Sequence, residues 1–233
     1  MIEGAMSRIR EALDGTGIDY EVIIIDDCSR DNSVEVIRNY ITRNKLENSF
    51  KLIANEKNMG IGVNYYRAAE MGTGEYFIVL FGDNPVPLEA MKAVFDLIGK
   101  ADIIIPHYNT RLFNKKDNWD HRVFIRRFIS IFYTWLVVVL SGHKLSYFNG
   151  FCMHRRNNVL KHRVNAFGLG YQAEMLTSIL DEPGITYLEV KVHNYDRQYG
   201  LSTAFSPKNV LSVMGSLWRI FWRRVKRCFC GSA

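Results

Sequence analysis

Four short apolar runs recur in the first half of the chain: YEVIII, FKLIAN, EYFIVLF and ADIIIP. Between them lie segments whose apolar residues fall at helical spacing. YEVIII is β-branched and nearly continuous, as expected of a strand buried on both faces. Ile2 to Leu13 reads as a helix. NSVEVIRNYITRNK reads as an amphipathic helix with Asn32 or Ser33 as N-cap. GVNYYRAAEMG reads as a helix closed by Gly72 or Gly74, and PLEAMKAVFDLIG as one with Pro87 near its first turn. ADIIIP is expected to stop at Pro106. Strands alternating with helices dictate an α/β fold, with a mostly parallel sheet covered by helices on both faces.

In such sheets ligands sit beyond the carboxyl ends of the strands. YEVIIIDDCSRDNS ends its strand in two adjacent acids, Asp26 and Asp27, and Asp83 follows another strand in GDNPVP. These acids are expected on one edge. Two bare carboxylates at a strand end repel each other unless a donor meets them. Either a ligand does so, or one of them, or Asp31, caps the helix that follows. Gly60 and Gly62, in NMGIG, permit tight backbone turns at a helix start. No Gly-x-Gly-x-x-Gly follows the first strand, which argues against a dinucleotide-binding enzyme.

The second half differs in character. HRVFIRRFISIFYTWLVVVLSG is apolar, aromatic and basic. YFNGFCMHRRNNVL holds a short strand and a helix, GYQAEMLTSILDEPG a helix, and ITYLEVKVHNYD a strand. NVLSVMGSLWRIFWRRVKR is a basic amphipathic helix. It sets Leu211, Met214, Trp218, Phe221 and Val225 near one face, with Arg219, Arg223, Lys226 and Arg227 beside or opposite it. With FISIFYTWLVVVL, too short to span a bilayer, it is expected either at a membrane interface or in core and subunit contacts. The formal charge of +6 is then accounted for without nucleic acid, for which no motif is present. The four cysteines match no zinc spacing and are too sparse for a disulfide scaffold, which suits reduced thiols in a cytoplasmic compartment.

Taken in order, these motifs resemble the family-two glycosyltransferases, which have the GT-A fold. IIIDDCSRDNS is similar to their Asp-Asp-x-Ser-x-Asp segment. NMGIGVNYYRAAEMGTGEYFIVLFGDN is similar to their Asn-x-Gly-x-Gly helix and the strand leading to a metal site. GYQAEML and EVKVHNYDRQYGLS resemble most the dolichol-phosphate mannosyltransferase and polyprenyl-phosphate glycosyltransferase branch. The resemblance covers about Tyr20 to Ser202. Three departures stand out. The family's opening strand, with its Pro-x-Tyr-Asn-Glu-like loop, has no match. Its Asp-x-Asp reads Phe81-Gly82-Asp83. Its Ser-Lys reads Ser202-Thr203.

The resemblance implies a nucleotide-sugar donor, GDP-mannose or a UDP-sugar. It further implies a divalent ion, Mg2+ or Mn2+, and a polyprenyl-phosphate acceptor reached by inverting displacement. Asp26 and Asp27 are assigned to the nucleoside, with Asn58 and Gly60 in the adjoining motif. Asp83 is assigned to the ion, although Asp83-Asn84-Pro85 also suits a plain turn. Gln172 and Glu174 are placed by the acceptor or the departing sugar, Glu174 as base if the acceptor is a hydroxyl. Arg197 is the cation for phosphate, since a guanidinium forks onto phosphate oxygens, and Ser202 adds a hydroxyl. Arg111, Arg122 and Arg126 are candidates for a lipid phosphate. A glycosyltransferase domain over 1–205 and a membrane-interface helix and tail over 206–233 complete the expectation, with the protein peripheral on the cytoplasmic face of a membrane. The alternatives are the same fold acting on a glycan hydroxyl, and a truncated, non-catalytic membrane-associated protein.

Overall fold

The structure, a computed structural model, describes residues 1–83, 86–107, 124–165, 168–193 and 207–230. Its elements follow one another as α1 (Ile2–Leu13), β1 (Val22–Asp26), α2 (Ser33–Arg43), β2 (Phe50–Ala54), α3 (Ile61–Met71), β3 (Tyr76–Ile78) and α4 (Leu88–Phe95). Then come β4 (Ile103–His107), α5 (Phe124–Ser141), β5 (Met153–Arg155), α6 (Arg156–Lys161), α7 (Tyr171–Leu180), β6 (Tyr187–Lys191) and α8 (Pro207–Cys230). The expected alternation is therefore realised. α3 ends at Gly72, as its sequence leads one to expect, and α4 begins directly after Pro87.

Two sheets carry the strands. β1 and β2 pair in parallel, Val22 opposite Phe50 through Asp26 opposite Ala54. The second sheet runs β3-β5-β4-β6. In it β4 and β6 are parallel, while β5 lies antiparallel to both β3 and β4. Pro106 does not stop β4, which continues to His107. Its N–H side faces β5, but β5 accompanies β4 only at Ile103 and Ile104, so the proline forfeits no ladder bond. β3 is shorter than its apolar run because β5 matches only Tyr76, Phe77 and Ile78.

β1 is expected to be buried on both faces, yet Val22 to Ile25 are half-buried and only Asp26 is buried. The reason is topological: β1 is paired on one side by β2 and has no strand on the other among the described residues. β3 is likewise paired on one side only. Glu21, just before β1, accepts the Thr73 N–H at 2.5 Å and the Thr73 hydroxyl at 2.8 Å. Thr73 lies just before β3. Both strands therefore start together, and their carboxyl ends point the same way.

Helices cover both faces. β4 alternates its side chains: Ile104 packs with Met91, Val94 and Phe95 of α4 and Leu13 of α1. Ile103 and Ile105 pack with Tyr65 and Tyr66 of α3, Met175 and Ile179 of α7 and Ile220 of α8. α1 bridges the two sheets, with Met6 beside Ile37, Tyr40 and Phe50 and Leu13 in the α4 cluster. Each of the fully buried isoleucines contributes about 2–3 kcal/mol of transfer free energy.

Candidate active site

The acids expected on one edge are there, at the carboxyl ends of strands. Asp26 is buried and accepts the Ser29 N–H at 3.0 Å. Its other oxygen has no hydrogen-bond partner among the described residues. Asp27 is engaged on both oxygens. The Met59 N–H reaches Oδ1 at 2.8 Å, the Gly60 N–H reaches Oδ2 at 2.9 Å, and Asn55 Nδ2 donates to Oδ1 at 2.9 Å. The resemblance assigns Asp27 to the nucleoside; in the structure both of its oxygens are held by the protein itself. Its carboxylate closes the loop that starts α3. Burial alone would raise its pKa; the Met59 N–H, the Asn55 and Asn64 amides and the Gly60 N–H outweigh it and hold the carboxyl below its usual value. The repulsion between the two acids is resolved by amides rather than by a cation.

Gly60 is the hinge of this loop. Its φ of 83° is left-handed, and its N–H points at Asp27, a conformation a side chain would strain. Asn58 is exposed and donates to the Asp27 carbonyl at 3.4 Å. α2 has Asn32 as its N-cap residue, one of the two expected, with no side-chain cap bond; Asp31 just before it accepts the Ser33 N–H at 3.0 Å and forms the turn that leads in. The Ser33 contacts lower the Asp31 pKa.

Asp83 sits in the turn after β3, half-buried. Gly82 beside it presses on α1: a Cβ there would lie 2.9 Å from Ile2 Cδ1. The start of α1 therefore flanks the turn. Among the described residues no three Asp, Glu, His or Cys side chains gather into a metal-holding group. One carboxylate fits the way Mg2+ or Mn2+ is commonly held, by one or two acids with water and substrate phosphates completing the shell. A groove of about 610 Å³ lined by Arg10, Tyr20, Tyr40 and Arg43 lies at the amino end of β1, away from these acids.

Two residues of GYQAEML expected at the site are tied to other elements of the chain. Gln172 accepts the Gly150 N–H at 3.1 Å and donates to the Gly150 carbonyl at 2.7 Å. It fastens the loop before β5 to α7. Glu174 is 4% exposed and holds Arg219 of α8 bidentately, Nε to Oε1 at 2.7 Å and Nη2 to Oε2 at 2.9 Å. The Glu174 bonds raise the Arg219 pKa further. Glu174, expected by the acceptor or the departing sugar, thus anchors α8 on α7. Asp181, at the end of α7, receives Arg223 Nε at 2.7 Å, His143 Nε2 at 2.6 Å and Arg227. Burial, with Arg227, Arg223 and Arg224 nearby, lowers the His143 pKa.

Arg197, Ser202, Arg111 and Arg122 lie outside the described residues, as does Asn84. Arg126 is in α5, with its side chain outside the described ones. The residues that sequence reasoning missed are Asn55, Asn64 and Arg67. Asn55 follows β2 directly opposite the acids, its N–H bonded to the Asp26 carbonyl at 2.9 Å. It is held in turn by Asn64 at 2.9 Å and Arg67 at 2.6 Å. An asparagine ending the neighbouring strand was the available signal.

Parallel strands with acids at their carboxyl ends, and a helix started by a glycine turn, define an α/β domain of the GT-A type. The chain belongs to the family Glycosyl transferase family 2, matched over residues 1–169. Among curated proteins it is similar to the cholesterol galactosyltransferase of Borreliella burgdorferi, 33% identical over 96 residues. That match takes in 41% of this chain and 25% of the relative, so the chain spans about a quarter of the relative's length. Among solved structures it is similar to glucosyl-3-phosphoglycerate synthase from Mycobacterium tuberculosis. The complex with Mn2+, UDP and glucosyl-3-phosphoglycerate gives a TM-score of 0.66 at 17% identity, covering 95% of this chain and 75% of that one. The complex with Mn2+, UDP-glucose and phosphoglyceric acid gives 0.64 at 18% identity, with the same coverage. At that identity the likeness establishes the fold.

Proposed function

We propose that this protein transfers a hexose from a nucleotide-sugar to a polyprenyl phosphate, with inversion, as a peripheral protein on the cytoplasmic face of a membrane. The observation that carries the choice of acceptor is the Glu174–Arg219 pair. A hydroxyl acceptor needs a base to take its proton. The glutamate that the sequence offers for that task is buried in a bidentate ion pair under α8. A phosphate acceptor is already an anion and attacks the anomeric carbon without one. The nucleoside diphosphate leaves as the new bond forms.

In this reading Asp26 meets the nucleoside with its remaining oxygen. Asp83 holds the divalent ion, which when bound supplies positive charge for the leaving diphosphate. Mn2+ and UDP in the crystal structures of the fold neighbours support that pairing of ion and donor. Asp27 keeps the loop before α3 in place and touches no substrate. Arg197 and Ser202 carry no part of the reading.

A second reading, transfer to a hydroxyl, is favoured by the name of the Borreliella relative, since cholesterol offers a hydroxyl. The test begins with thermal unfolding in GDP-mannose, UDP-glucose and UDP-galactose, with and without Mn2+. A ligand at a hundred times its dissociation constant stabilises by about 2.7 kcal/mol. Asp83→Asn should abolish the metal-dependent part of the shift. The donor that binds is then offered a polyprenyl phosphate, a sterol and a glycan. Transfer to the phosphate supports the proposal, and transfer to the sterol or glycan alone replaces it with the second reading.

A further inference from the structure

α8 is built inside out. A helix on a soluble protein turns its apolar stripe to the core and its charges to water. Here Arg219, Arg223 and Arg227 point inward, onto Glu174, Thr177 and Asp181 of α7. The outward face carries Leu211, Met214 and Trp218, which are 72%, 58% and 61% exposed, and Phe229. Leu217 and Ile220, with Val213 packed beside them, continue the core on the inner side.

α5 lies alongside and repeats the pattern. Phe128, Phe132, Trp135 and Val139 follow one another at three- and four-residue spacing, and all are exposed. Phe132 and Trp135 stack at 5.9 Å, and Trp218 meets Trp222 edge-on at 5.6 Å. The two helices are fastened to each other. Arg224 donates to the Val139 carbonyl, and Arg227 Nη2 to the Ser141 carbonyl at 3.1 Å. Both bonds satisfy carbonyls of the last turn of α5. The two stripes therefore form one aromatic face held in a fixed relation to α7.

We propose that this face lies flat on an anionic lipid surface. Among the described residues no helix is long and apolar enough to cross a membrane. α8 is 24 residues long, about 36 Å, and the arginines and lysines along it suit lying on a surface rather than crossing one. Tryptophan and phenylalanine over a basic helix are the side chains that settle at the headgroup boundary. Charge selects lipid over a second copy of the chain. Each copy carries +6, with Lys226 exposed at the edge of the face. A face-to-face dimer would bring like charges together, whereas anionic headgroups neutralise them. The inference deepens the proposed function by naming the surface that receives the lipid-borne acceptor, but its physical basis is independent of catalysis.

The test uses the full chain and vesicles of phosphatidylcholine alone or mixed with phosphatidylglycerol. Sedimentation with the vesicles and the tryptophan emission are followed without donor or acceptor. The expected result is binding to the mixed vesicles with a blue shift, weaker by about fivefold for each basic group lost, as in Lys226→Gln. Added salt should weaken it too. Trp135→Ser combined with Trp218→Ser should lower affinity about tenfold or more while leaving thermal unfolding unchanged, since both side chains are exposed. Leu211→Glu, at the far end of the face, is the second variant should the first fold poorly. Two results overturn the proposal: no binding to anionic vesicles by the folded chain, or a dimer in light scattering that the same substitutions dissociate. Neither result bears on donor binding, which the thermal-shift test reads separately.

Discussion

The molecule neutralises acids in two regions, and it does so by opposite means. At the end of β1, Asp27 is met by two backbone N–H groups and an asparagine amide, all from the loop between β2 and α3, 28 to 33 residues on. On α7, Glu174 and Asp181 are met by arginines that arrive more than forty residues later in the chain. The first device shapes a loop; the second attaches an element. An amide net keeps the acid's charge uncompensated and leaves the edge of the sheet electronegative, as a metal-assisted site requires. An arginine net cancels the charge and removes the acid from chemistry. A carboxylate in a family motif can thus be structural in either way, and only its partners reveal which.

The largest effect should come from breaking the arginine net. Arg219→Ala leaves Glu174 buried without its cation and should cost about 3 kcal/mol in urea unfolding. If it costs nothing, α8 is not anchored there and Glu174 returns as a candidate base.

His154 sharpens the comparison by having neither device. It lies fully buried in β5 with no hydrogen-bond partner on Nδ1, and burial lowers its pKa from 6.5 to about 4. The folded state requires the neutral ring. Stability from this group is complete above pH 6.5 and is lost as pH falls from there toward 4, by about 3 kcal/mol at the lower limit. Thermal melts across that window should show the decline, and His154→Leu should flatten it. A decline that persists in the variant would assign it to other groups.

Asp27→Asn should cost about 1–2 kcal/mol, because the amide keeps one acceptor and loses the charge that strengthens three bonds. The lowered pKa of Asp27 places its own contribution above the unfolded value near 3.8, to be lost as pH falls through the folded one. The variant should therefore differ least from the parent in strong acid. The smallest change is Gly60→Ala. It keeps the N–H that reaches Asp27 and strains only φ, at about 1 kcal/mol. Greater damage would mean the backbone of the loop, more than its acid, sets the start of α3.

How much of this was legible differs between the same two regions. The β1 edge is local. The apolar run, the acids, the turn at Asp31 and the glycine turn follow one another closely along the chain, and their pattern places them. The Asp27 partners were partly visible too, since Met59 and Gly60 lie in NMGIG. The α7–α8 contact is not local. A helical wheel of α8 shows one apolar and one basic face but not which turns inward, and water and lipid reverse that choice. Gln172 and Glu174 read as ligand groups because nothing near them in sequence offers a partner; Gly150 and Arg219 do so only after folding. The division of the strands into two sheets was equally hidden, because pairing at the open side of β1 depends on what lies beside it, not on its own residues.

The arginine net also has a consequence for the order in which the chain matures. During synthesis α7 leaves the ribosome before α8, so Glu174 and Asp181 are completed while their cations are still to come. For that interval the acids keep water, and the helix that carries them cannot settle fully on the sheet. When α8 emerges, one docking event quenches those acids, caps α5 and joins the two halves of the aromatic face. That face is therefore completed only once α7 is there to receive α8.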